Sequence, residues 1–126
     1  MIEGTCQTFV SDCHVRAAVE LINHVWDPVV LSALRAGPTR RNDLLQRIAG
    51  VSDKVLSQAL QRLLARGLIT RHIGDGRSVG QGVAFYQLSP LGDSFANGPL
   101  AHLAQWAATN QTDLASPPSK SETAAR

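Results

Sequence analysis

Apolar residues recur every three to four positions through the first half of the chain, and the period shortens to two after residue 67. Val15, Ala18, Val19, Ile22 and Val25 fall at helical spacing, and Asp12 before them is a good N-cap, so a first helix is predicted from there. Asp27-Pro28 then reads as a cap followed by proline in the first helical position, where the missing N–H costs no hydrogen bond. The apolar face of this second helix is Val30, Leu31 and Leu34, and Gly37-Pro38 ends it. A short third helix is predicted from Thr39 or Arg40 through Leu44, Leu45 and Ile48, closing near Gly50.

The fourth helix is the strongest. Ser52 caps it, Val55, Leu56, Ala59, Leu60, Leu63 and Leu64 form one stripe, and Gly67 stands where a left-handed C-terminal residue is wanted. Its opposite face carries Asp53, Lys54, Ser57, Gln58, Gln61 and Arg62, a row rich in hydrogen-bonding forks. Residues 68–73 and 83–88 are strand-like runs, and four glycines lie in the nine residues between them. That combination predicts a hairpin with a long tip carrying Arg77. Ser89-Pro90 opens a C-terminal helical region, Gly98-Pro99 breaks it, and Leu100, Leu103 and Trp106 resume the stripe.

The predicted order is therefore four helices, two strands and a further helical region. Two helices joined by a tight turn, the second with a polar face, and then a hairpin make a winged helix-turn-helix. The class is α+β, mainly α, with a two-stranded wing. Residues 1–11 read as an N-terminal arm, 12–111 as the folded domain and 112–126, with Ser-Pro-Pro-Ser at 116–119, as a disordered tail.

Charge sharpens this picture. The net charge of the 126 residues is only +2, but residues 39–77 hold eight basic and three acidic side chains. That segment carries +5 and the remainder −3, the distribution expected of a surface for polyanions. Hydrophobic residues are 44% and aromatics 5%, which implies a core of Ala, Val, Ile and Leu. No run approaches the ~20 apolar residues of a membrane helix, and residues 1–10 lack the pattern of a signal peptide, so a cytoplasmic protein is expected. Cys6 and Cys13 are too few for a disulfide framework. His14, His24, His72 and His102 fall at no metal-ligand spacing, and no catalytic triad or phosphate-binding glycine loop is evident. Neither an enzyme nor a cofactor is expected.

From Cys13 to Trp106 the chain resembles the HxlR-type winged-helix transcriptional regulators, relatives of the MarR class. The resemblance rests on Cys13, Trp26, Leu34 with Gly37-Pro38, Asp43-Leu44, and Gly50-Val51-Ser52 with Lys54 and Leu56. It continues through Gln58, Leu60, Leu63, Gly67-Leu68-Ile69-Thr70-Arg71, Tyr86, Leu88, Ser89-Pro90-Leu91-Gly92 and Trp106. The chain departs from the family pattern at Arg41, where an aromatic is usual, and at Ala59, where a basic residue is common. Its wing is rich in glycine where the family has proline.

The resemblance implies a homodimer, with N- and C-terminal dimerisation helices contributing Val15, Val19, Leu100, Leu103 and Trp106. It also makes Cys13 a candidate redox-sensing thiol, alongside a small-molecule effector as the other candidate signal. The expected partner is double-stranded DNA carrying an inverted-repeat operator. Gln58 and Gln61 suit bidentate contact with adenine, Lys54 suits guanine or phosphate, and Ser52 and Ser57 suit phosphate or base. Arg40, Arg41, Arg62 and Arg77 complete the candidate DNA-contact set. The alternative is a ligand-binding or protein-interaction module that keeps the winged helix and no longer reads DNA.

Overall fold

The computed structural model of the chain describes residues 14–74 and 83–115. Seven helices and three strands follow in the order α1 (His14–Glu20), α2 (Trp26–Ala33), β1 (Thr39–Arg40), α3 (Arg41–Arg47), α4 (Asp53–Ala65), β2 (Ile69–Ile73), β3 (Ala84–Leu88), α5 (Pro90–Asn97), α6 (Pro99–Thr109) and α7 (Gln111–Ala115). A single 3-10 turn, Leu34–Ala36, closes α2 before Gly37.

The core is aliphatic apart from Tyr86 of β3, in keeping with the composition. Val30 and Leu31 of α2, Leu34 after it, Leu44 of α3, Leu56, Ala59, Leu60 and Leu63 of α4, and Leu68 and Ile69 are buried together with Ala96 and Leu100. Trp26 is half-buried and packs against that cluster. The α4 stripe predicted from the sequence is thus the central face of the fold.

Local chemistry accounts for most of the element ends. The Ser52 hydroxyl accepts the Val55 N–H at 3.1 Å, satisfying one orphan donor of α4. Gly67 has φ +75°, the left-handed geometry that lets the chain turn from α4 into β2. Ser89 caps α5 by accepting from the Gly92 N–H at 3.0 Å, and Pro90 and Pro99 open α5 and α6.

Several expectations need correction. Residues 39–40 form a strand, with Thr39 opposite Tyr86 and Arg40 opposite Phe85, so the sheet has three antiparallel strands in the order β1-β3-β2. The wing hairpin itself is β2 and β3, with Ile69 opposite Leu88 and Ile73 opposite Ala84. Asp27 does not cap α2, which begins at Trp26. Pro28 is then the third helical residue, still within the turn whose N–H groups have no helical partner. Helix α1 ends at Glu20, so Ile22 and Val25 leave the predicted stripe and Val25 is exposed. Residues 111–115 are helical although the tail was expected from 112. Asp12, the arm and the wing tip lie outside the described residues, as does the tail from 116 onward.

Candidate nucleic-acid interface

Helices α3 and α4 are joined by a short turn in which Gly50 adopts φ +91°, and Trp26 packs near its α-carbon. This is the helix-turn-helix. Because Leu56, Ala59, Leu60 and Leu63 face the core, the helical period places Lys54, Gln58 and Gln61 on the opposite, exposed side. The three sit at i, i+4 and i+7, a single row about 10 Å long. They combine one cation with two carboxamides, each able to donate and accept at once. Such a row suits base edges in a major groove. Ala59 is fully buried, so its lack of charge removes nothing from this face.

The flanks of α4 are occupied differently from expectation. Arg41, at the start of α3, donates from Nη1 to Asp53 Oδ1 at 2.8 Å. Its Nη2 donates to the Asp53 carbonyl at 2.9 Å and to Ser57 Oγ at 2.5 Å. Two expected DNA contacts, Arg41 and Ser57, therefore bind each other and brace α3 against the first turn of α4. The arrangement also neutralises Asp53, the acid nearest the helix N-terminus.

Arg62 is the clearest correction among the expected contacts. Its guanidinium points at α2, donating from Nη2 to Asp27 Oδ1 at 2.7 Å and from Nε to both carboxylate oxygens at 3.0 and 3.2 Å. Asp27 is 1% exposed. Hydrogen bonding to Asp27 raises the Arg62 pKa above its ordinary value, against the lowering effect of burial. With its fork engaged, Arg62 holds α4 to α2 and stands apart from the exposed row of Lys54, Gln58 and Gln61. Nothing in the local sequence marks this pair, since its members lie thirty-five residues apart and Asp27-Pro28 imitates a helix cap.

Around this face lie further cations. Arg40 is exposed at the edge of the sheet, with Nε 3.5 Å from Asp43 Oδ2. With Arg41, Asn42, Val83 and Ala84 it lines an open depression of about 410 Å³ at the root of the wing. Arg71 is exposed on β2. Arg77, the expected wing-tip contact, lies outside the described residues, and so does Cys13.

Helices α1 and α6 present apolar surface. Val15, Val19, Leu103 and Trp106 are each roughly half exposed, and Leu114 of α7 adds to them. Leu100 differs from expectation: it is 6% exposed and belongs to the core. Between α1 and α6 runs an apolar groove of about 180 Å³, floored by Ile22, Phe95 and Leu100. Among the described residues, no cluster of three or more His, Cys, Asp or Glu could hold a metal ion. No described helix is long and apolar enough to cross a membrane.

Comparison with known proteins agrees with this geometry. Residues 21–114 match the family model described as HxlR-like helix-turn-helix. The chain is 34% identical over 106 residues to the HTH-type transcriptional regulator YtfH of Escherichia coli (strain K12), itself uncharacterized, covering 84% of this chain and 81% of that one. A solved structure described as the transcriptional regulator ytfH from Salmonella typhimurium is 31% identical, with a TM-score of 0.68 over 89% of this chain and 95% of that one. The redox regulator HypR in its reduced form shares the fold, with a TM-score of 0.72 at 18% identity, covering 82% of this chain and 98% of that one.

Proposed function

Because the chain belongs to the HxlR-like helix-turn-helix family, whose members are transcriptional regulators and not enzymes, we propose that it acts as a homodimer reading an inverted-repeat operator through α4. The observation that carries this reading is the exposed Lys54, Gln58 and Gln61 row, set directly opposite the buried face of the helix. One such helix spans too few base pairs for useful selectivity. A two-fold dimer would present two of them about 34 Å apart, one turn of the duplex.

The dimer contact is assigned to α1 and α6, where Val15, Val19, Leu103 and Trp106 are each roughly half exposed, as apolar residues of an interface between copies would be. Arg40, Arg71 and Arg77 supply phosphate contacts, while Ser52 stands at the N-terminus of α4, where a phosphate is electrostatically favoured. A signal that alters the α1–α6 contact would change the separation of the two reading helices. That signal is an oxidant acting on Cys13 or a small apolar molecule in the α1–α6 groove.

The test is binding of the reduced protein to duplexes selected from a randomised pool. An enriched inverted repeat whose affinity falls steeply with salt is the expected result. Absence of enrichment, or affinity indifferent to salt, would favour the interaction-module alternative. In the same assay Cys13→Ser should abolish any response to oxidant, and a response that persists excludes the thiol as the sensor.

A further inference from the structure

The contact between α2 and α4 is built almost wholly from aliphatic side chains, chiefly Val30, Leu31, Leu56, Ala59, Leu60 and Leu63. Aliphatic burial is strong and non-directional, so it resists separation better than it resists a small rotation or slide of one helix on the other. Within this contact lies one directional interaction, the fork of Arg62 on the buried Asp27 carboxylate. A bidentate guanidinium–carboxylate contact fixes both distance and relative angle. One turn further on, Arg66 donates to the backbone carbonyl of Glu20, the last residue of α1. Two arginines four positions apart therefore hold the two sides of the α1–α2 corner.

Stability alone is a poor reason for such a pair, because apolar side chains of similar volume commonly serve a buried site as well or better. Position gives a better one. Arg62 directly follows Gln61, and any rotation of α4 about its axis moves Lys54, Gln58 and Gln61 together.

We propose that Asp27 and Arg62 are positioning residues for DNA reading, setting the orientation of α4 relative to the α1–α2 corner, with Arg66 on the Glu20 carbonyl as the second point of attachment. This rests on the proposal that α4 reads DNA. It adds that the α1 face and the reading face form one mechanical unit, so that a displacement of α1 reaches the Gln58 and Gln61 row through these two arginines.

The test compares the wild type with Asp27→Leu/Arg62→Met, which replaces the pair by apolar groups, and with Arg62→Lys, which keeps the charge and loses the fork. Melting temperature, affinity for the duplex selected by the wild type, and half-site spacing preference are measured for each. A DNA-independent measurement accompanies them: the distance distribution between spin labels at positions 16 and 65, in a background carrying Cys6→Ser and Cys13→Ser. The expected result is a double variant that melts near the wild type yet binds about tenfold more weakly or prefers a different spacing, the scale of one lost base contact. Its label distribution should shift or broaden. Arg62→Lys, the milder change, should stay folded and show the same shift to a lesser degree.

Wild-type affinity, spacing and distance distribution in folded variants would overturn the proposal and leave the pair as filling. Should the wild type itself select no duplex, the reading of DNA by α4 fails, while the distance measurement still decides whether the pair orients the helix.

Discussion

Gly92→Ala is a substitution for which helix propensity and packing predict opposite signs. Gly92 lies inside α5 with ordinary helical backbone, so propensity alone favours alanine by about 1 kcal/mol. A Cβ at this position, however, would meet the Leu68 carbonyl oxygen at 1.8 Å and its carbon at 2.8 Å. Both are backbone atoms of the turn that leads from α4 into β2, and neither can swing aside. Helix α5 must retreat by roughly 1.5 Å to reach ordinary van der Waals contact. That movement strains two hydrogen bonds, from Ser89 Oγ to the Gly67 carbonyl at 2.6 Å and from the Ser89 N–H to the Leu68 carbonyl at 3.0 Å. Their loss costs about 1 kcal/mol each. Overpacking adds about 1–3 kcal/mol. Set against the propensity gain, the net destabilisation is about 2–4 kcal/mol. For a domain of this size that is a fall in Tm of roughly 10 °C or more. Thermal melts of wild type and variant at equal protein concentration test this, the equal concentration guarding against a shift in dimer population. An unchanged or raised Tm would refute the close approach of α5 to the Leu68 backbone.

Two further substitutions probe other parts of the structure. Ser52→Ala removes the hydroxyl that caps α4 and should lower stability by about 1 kcal/mol in a denaturant titration; no change would mean that the cap contributes nothing. Trp106→Arg places a charge in the apolar surface of α6 and should convert the proposed dimer to monomer in sedimentation equilibrium without lowering monomer stability, because the side chain is 56% exposed within one chain. A dimer of unchanged affinity would move the interface away from α6.

The sequence marked those elements whose determinants are local. Ser52, Gly67, Ser89-Pro90 and Gly98-Pro99 mark helix ends through hydrogen-bonding or φ requirements of the residues themselves, and each lies at the end of an element. The exposed polar row of α4 was legible for the same reason, since the strong stripe of Leu56, Leu60 and Leu63 determines which side remains for solvent. What stayed hidden depends on partners distant along the chain. Thr39 and Arg40 are a strand only because β3, some forty-five residues later, offers its edge. Asp27, Arg62, Arg41 and Ser57 looked like a cap and three DNA contacts, because acids and arginines on helix faces carry no sign of the counter-ion they will meet. Leu100 and Leu103 share one stripe, yet only the tertiary packing of α6 decides that the first is core and the second is surface.

Reading of DNA by the exposed row of α4 is tested most directly by repeating the duplex selection with Gln58→Ala/Gln61→Ala beside the wild type. Both side chains are exposed, so the variant should keep the wild-type Tm and oligomeric state. The expected result is loss of preference at the base pairs these residues face, with each lost bidentate contact worth about 1–3 kcal/mol of discrimination and the salt dependence of binding retained. Enrichment of the same motif at the same strength would contradict the assignment and place the reading face elsewhere on the protein.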